Sequence, residues 1–436
     1  MLFASTRGSA PELGFSAAML RGLAVDGGLY VPKTWPKFQA QDFADDRSLA
    51  QVAERLLAPF VSGDPLQAAL CEIVRDAFNF PAARRRVDTK TAAELSVLEL
   101  FHGPTAAFKD FGARFLAACF ERMRRPDDPL VNILVATSGD TGGAVAAAFH
   151  KRPGLAVSVL FPKGLVSPTQ ERQLTCWGDN VRSFQVAGTF DDCQRMVKEA
   201  FLDRELAASQ VLSSANSINL GRLLPQAVYY ATTALEFWRE HSVPLNFIIP
   251  SGNLGNAVAC IWARRMGLPI GRVVLAHNAN RTVVDFLDEG DWRARPSMAT
   301  LASAMDVGNP SNMERLRALH PQLSEIRAAV TAVSIDDDSI RSRIRHDAQR
   351  YGEVWCPHTA VAAEAWARLD ANLRNDLPWC LVATASPAKF PEVVEPLIGQ
   401  PVAVPAALAL LLQRPTAVES LAPSLDALRT ALLSQP

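Results

Sequence analysis

One lysine stands apart in this sequence. Lys109 follows His102-Gly103-Pro104-Thr105-Ala106-Ala107-Phe108 and precedes Asp110-Phe111-Gly112. The spacing of Ala113, Phe115 and Leu116 opens a helix at that point. A helix start disfavours a positive charge, and an apolar pocket disfavours it further. Both effects lower the pKa of an amine and make it competent to form a Schiff base. The same spacing admits a surface lysine whose stem covers apolar side chains.

Two glycine loops carry a second kind of chemistry. The first is Thr137-Ser138-Gly139-Asp140-Thr141-Gly142-Gly143, and the second is Ser251-Gly252-Asn253-Leu254-Gly255-Asn256. Each falls between an apolar run and a helical pattern. Unpaired N–H groups and the positive end of a helix dipole make such a turn an anion site. Hydroxyls at Ser138, Thr141 and Ser251 add donors. A plain strand-to-helix turn built of small residues is the other reading. Neither loop is a Walker A or a G-x-G-x-x-G. Two such loops suggest two separate anions, or one anion plus another polar group.

The elements that must position these residues follow from the hydrophobic pattern. Strands are expected at 131–136, 155–161, 181–186, 245–249, 273–278 and 379–383, and helices at 49–57, 66–78, 144–149, 190–202 and 257–266. Residues 29–31 read as extended after the turn at 26–28. Strand–helix alternation implies an α/β fold with parallel sheets and helices on both faces. Ligands then sit at the carboxyl ends of the strands.

The chain has 436 residues, room for two or three domains. Forty-four basic and 45 acidic side chains leave a net charge of −1, so no nucleic-acid footprint is expected. Seven cysteines form no C-x-x-C and no spacing to histidine that suits a metal, which points to a reducing, cytoplasmic setting. The start of the chain lacks an apolar core of signal-peptide length, and the apolar run 402–412 is too short to cross a bilayer. Arg84-Arg85-Arg86 reads as a solvated face.

The segment from His102 to Gly112 resembles the lysine site of threonine synthases, pyridoxal-phosphate (PLP) enzymes of fold type II. The likeness continues in order through residues 5–8 and 22–32, the 137–142 loop, residues 161–170, Asn216-Ser217-Ile218-Asn219 with Arg222, the 251–256 loop, residues 305–312, residues 356–361 and residues 383–390. In that last segment Ser386 stands where the family usually has histidine.

The resemblance implies a two-domain α/β fold of the tryptophan synthase β type with an N-terminal extension. Its parts are expected at 1–90, 91–215 (carrying the lysine) and 216–436 (carrying the cofactor-phosphate loop), with the N-terminal part on the larger domain. It also implies roles. Lys109 carries PLP and acts as base, beside Phe108. Gly252, Asn253, Leu254, Gly255 and Asn256 hold the cofactor phosphate, with Gly252 and Gly255 giving backbone access at positive φ. Thr384 faces the ring nitrogen, although by itself it reads as a capping residue. Thr137, Ser138, Asp140 and Thr141 meet the substrate carboxylate or the ring 3-hydroxyl side, with the Asp140 side chain turned elsewhere. Asn216, Ser217 and Arg222 bind a substrate phosphate, while a surface ion pair is the bland alternative for Arg222. The implied reaction converts O-phospho-L-homoserine and water to threonine and phosphate, in a monomer or homodimer with no metal. A serine or threonine dehydratase, or a PLP-binding sensor without turnover, are the alternatives. Asn216, Ser217 and Arg222 argue against the first and Lys109 against the second.

Overall fold

The computed structural model describes residues 1–89, 93–125 and 127–434. The apolar runs become strands buried along their whole length: every residue of Val131–Ala136, Leu155–Pro162, Leu245–Pro250 and Trp379–Ala383 is buried. That is the pattern of a parallel sheet covered on both faces.

Two such sheets form. The five-stranded one runs Glu419–Leu421, Val181–Val186, Leu155–Pro162, Val131–Ala136, Val211–Ser214, all parallel. The six-stranded one runs Thr331–Ser334, Ile270–His277, Leu245–Pro250, Trp379–Ala383, Leu95–Glu99, Ala83–Val87, parallel except at its last pair. One continuous apolar core joins the inner faces of both sheets to the helix Lys109–Met123 and to Phe3, Phe15 and Phe60 of the N-terminal segment. Separate cores cover the outer faces, beneath Pro357–Ala367 on one side and Phe190–Leu202 on the other.

Several elements cross the expected boundaries. Leu95–Glu99, expected within 91–215, belongs to the six-stranded sheet because it pairs with Trp379–Ala383. Glu419–Leu421, expected within 216–436, pairs with Val181–Val186 in the five-stranded sheet. The boundary at 90/91 lies outside the described residues. The N-terminal segment does not rest on one half alone: Leu20 O accepts from Ser213 Oγ, while Tyr30 O accepts from Arg315 Nε. Its aromatic residues extend the shared core, which explains the double contact.

Within the arginine run Arg85 and Arg86 are exposed, as a solvated face requires, and Arg84 is half-buried. Ala83–Val87 is an antiparallel edge strand. Arg84 pairs with Glu94 and Glu240, and Arg85 with Glu99 and Glu353. Charged side chains blunt a sheet edge against further pairing.

Candidate active site

The segments that follow Leu95–Glu99, Val131–Ala136, Val211–Ser214, Leu245–Pro250 and Trp379–Ala383, each taken through the start of the next helix, contain Phe108 and Lys109, residues 137–141, Asn216, Ser217 and Arg222, residues 252–256 and Thr384. All follow the carboxyl end of a parallel-sheet strand.

The lysine loop is built to present one amine. Asp110 turns back to accept from the Thr105 N–H at 2.9 Å and the Thr105 hydroxyl at 2.6 Å. Phe108 N–H donates to Thr384 O at 2.8 Å, and Ser386 N–H donates to Ala106 O at 3.0 Å. Lys109 is the first residue of its helix. Its ammonium lies 4.3 Å from the Phe108 ring centroid and makes no hydrogen bond or ion pair among the described residues. Burial, then the Arg222 charge, lower its pKa to about 8, against an opposing pull from Asp140. About one amine in ten is therefore neutral at pH 7, far more than for an ordinary lysine. His102 lies apart from this pocket: it is exposed and paired with Glu99 at 2.8 Å.

In the second glycine loop the backbone N–H groups of residues 252–257 find no acceptor among the described residues. This is an anion nest at the start of Gly255–Arg265. The positive φ expected at Gly252 and Gly255 falls instead on Leu254, at 62°. Gly252 is needed for a different reason: a Cβ there would lie 2.7 Å from Met305 Cα. Asn253 is held in place, donating to Ser217 Oγ at 2.8 Å and accepting from Ser311 N at 2.6 Å. Asn256 Oδ1 accepts from both Tyr229 and Tyr230 hydroxyls, and its buried Nδ2 has no partner among the described residues.

In the first glycine loop, Thr137 does not face outward. Its hydroxyl accepts from Gly139 N at 3.0 Å and Gly142 N at 2.9 Å, bracing the turn. The N–H groups of Ser138, Asp140 and Thr141, and the hydroxyls of Ser138 and Thr141, have no partner among the described residues. The Asp140 carboxylate does turn elsewhere, as expected: Lys389 Nζ is 2.6 Å from Oδ1, and Gln170 Nε2 donates to it at 3.0 Å.

Asn216 donates to Ala136 O at 2.9 Å, and Ser217 Oγ accepts from Asn253 and Asn312, so these two side chains lace the loops together. Arg222 is 1% exposed. One of its terminal nitrogens donates to Ala215 O, and among the described residues its buried Nε has no partner and no carboxylate pairs with it. Burial lowers its pKa to about 10, so it stays charged at pH 7. The surface ion pair is excluded.

Lys389 and Arg315, both buried, escaped the sequence reading, and a third buried residue, His358, lies in a recognised segment. Arg315 binds Tyr30 O, Ser217 O, Ile218 O and Asn312 Oδ1. His358 accepts from Ala304 N at Nε2, and burial holds its pKa near 4, so the ring is neutral. Lys389 and His358 lie within recognised segments, but their burial and partners are set at long range.

The donor set fits PLP. A phosphate suits the 252–257 nest and the spare Asn256 amide, a carbonyl suits the partnerless Lys109 amine, and a ring nitrogen suits the Thr384 hydroxyl, which has no partner among the described residues.

Comparison with known proteins agrees. Residues 85–385 match the family model for pyridoxal-phosphate-dependent enzymes, residues 2–78 that for the threonine synthase N terminus, and residues 359–432 that for the threonine synthase C-terminal region. The threonine synthase of Serratia marcescens is 38% identical over 98% of this chain and 97% of its own. That of Escherichia coli K12 is 37% identical over 97% of each. The crystal structure of PLP-bound threonine synthase from Brucella melitensis superposes with a TM-score of 0.90 at 36% identity, covering 99% of this chain and 98% of that one. By sequence and by fold, the chain belongs to the threonine synthase family of PLP-dependent enzymes.

Proposed function

We propose that this chain converts O-phospho-L-homoserine and water to L-threonine and phosphate. The observation that carries the substrate choice is Arg222, a buried cation with a spare Nε and no carboxylate partner, close enough to Lys109 to lower its pKa. Such a cation suits a second phosphate, apart from the one on the 252–257 nest.

Lys109, Phe108, residues 252–256 and Thr384 would hold PLP, and the bound cofactor would supply an electron sink for carbon acidity beside the substrate amino group. The Thr384 hydroxyl would offer the ring nitrogen a hydrogen bond without a negative charge. The free N–H groups and hydroxyls of Ser138 and Thr141, with the N–H of Asp140, take the substrate carboxylate. Arg222 neutralises the leaving phosphate, while Asn216 and Ser217 position the loops around it. Lys109 accepts the Cα proton and later returns it to Cα, for which a pKa of about 8 suits it. In the net reaction a Cβ proton leaves, the Cγ–O bond breaks with its electrons going to phosphate, a proton returns at Cγ, and water adds its hydroxyl at Cβ.

The assay is phosphate release from O-phospho-L-homoserine with threonine identified as co-product. Deamination of serine or threonine without phosphate release would point to a dehydratase instead. The proposal includes a cytoplasmic setting, supported by seven free cysteines, six of them buried. It also includes a monomer or homodimer with no nucleic-acid or membrane partner, and two α/β halves meeting at the cleft. No helix among the described residues is long and apolar enough to cross a membrane.

A further inference from the structure

Lys389 is fully buried, which is rare for a lysine without a dedicated task. It ends the turn Pro387–Lys389, just beyond the six-stranded sheet's strand Trp379–Ala383. Its ammonium reaches Asp140 Oδ1 at 2.6 Å and Thr105 O at 3.0 Å. Asp140 begins the helix Asp140–Phe149, which follows the five-stranded sheet's strand Val131–Ala136. One ion pair therefore ties the loop of one sheet to the loop of the other, and also to the loop that carries Lys109.

We propose that Lys389 is a positioning residue for the substrate carboxylate: it holds the Asp140 side chain away from the free N–H groups of Ser138, Asp140 and Thr141 and cancels its charge. This rests on the reading of that loop as the carboxylate nest. A carboxylate stands one side chain from the nest, where it would repel a substrate carboxylate unless it were paired. The other groups facing Asp140 cannot replace Lys389. His358 is held neutral by burial, with its Nε2 occupied by Ala304 N–H. Cys356 is a thiol whose pKa is raised by burial. Lys109 belongs to the cofactor. Gln170 is uncharged and fixed by the capping box it forms with Ser167.

The test compares steady-state constants of the PLP-loaded wild type, Lys389→Met, and Lys389→Met with Asp140→Asn. The probe is 3-aminopropyl phosphate, the substrate skeleton without its carboxylate, as a competitive inhibitor. In Lys389→Met the KM for O-phospho-L-homoserine should rise about tenfold or more, and rise further with pH as the unpaired Asp140 ionises. The Ki of 3-aminopropyl phosphate should stay within about twofold of wild type. The double variant, which buries no lone charge, should return KM to within about threefold of wild type and abolish the pH trend. An unchanged KM in Lys389→Met overturns the proposal, as does a pH-independent loss shared equally by substrate and analogue. If Lys389→Met does not fold, the double variant decides: a tenfold rise in its KM overturns the proposal. Wild-type enzyme binding the analogue as tightly as the substrate would instead remove the carboxylate nest itself, and the proposal with it.

Discussion

At the scale of single residues, the site separates groups with partners from groups without. Lys109 has an amine that meets the Phe108 ring but no hydrogen-bond partner among the described residues, so removing it breaks no hydrogen bond or ion pair. Lys109→Ala should lower turnover at least about a hundredfold, the low end for a positioned acid–base group, with an unchanged melting curve. The apo protein gives a sharper readout. Only the neutral amine captures PLP, so the capture rate should climb with pH and level off above about 8. Arg222 is a cation that lowers this pKa, and removing it must raise the value. In Arg222→Met the levelling point should therefore move to higher pH, as measured by stopped-flow absorbance. The same change should cut kcat/KM for O-phospho-L-homoserine by about two orders of magnitude, because the leaving phosphate loses its buried counter-charge. Retention of full activity would detach Arg222 from the phosphate.

At the scale of elements, the glycines of the motifs mark places where backbones meet. Gly112 lies where the helix Lys109–Met123 crosses residues 220–223, and a Cβ there would sit 2.4 Å from Arg222 O. Gly252 meets the backbone of Met305, whereas a Cβ on Gly255 would make ordinary 3.4 Å contacts with Asn312 and Ser217. The two should therefore respond differently. Gly252→Ala should lower both the stability of the apo protein, by about 1–3 kcal/mol, and its PLP affinity, because backbone must move. Gly255→Ala should leave apo stability unchanged and weaken PLP alone, which urea unfolding and apo titration with PLP separate. The loops and their flanking strands were legible in the sequence because apolar runs and glycines are local signals. The strands Ala83–Val87 and Leu95–Glu99 were not. In the first, arginines replace the apolar alternation, since their ion pairs rather than a core hold that edge. Lys389 and Arg315 gave no local sign because partners such as Thr105, Asp140 and Tyr30 are set only by the fold.

At the scale of the whole molecule, two fully buried arginines show how structure and function divide the same chemistry. Burial lowers both pKa values, to about 10 for Arg222 and about 9 for Arg315, yet both remain charged at pH 7. Arg315 meets this cost with hydrogen bonds to Tyr30, Ser217, Ile218 and Asn312. It thereby pins the antiparallel pair Phe3–Ser5 and Tyr30–Pro32, the 216–219 loop and the helix Met313–Leu319 to one another. Arg222 has its bond to Ala215 and an idle Nε. A buried cation with unfilled donors weighs against the folded state, whereas a buried cation with filled ones supports it. Arg222→Met should therefore leave the stability of the apo protein unchanged or raise it, while Arg315→Met, which strands several buried carbonyls, should lower it by about 3 kcal/mol or more. Urea midpoints of the two apo variants measure this directly. Added phosphate should stabilise the wild-type apo protein more than Arg222→Met, since only the former keeps both anion sites. Equal losses in the two variants would mean that Arg222 is a structural residue like Arg315, and the second phosphate site would have to be sought elsewhere.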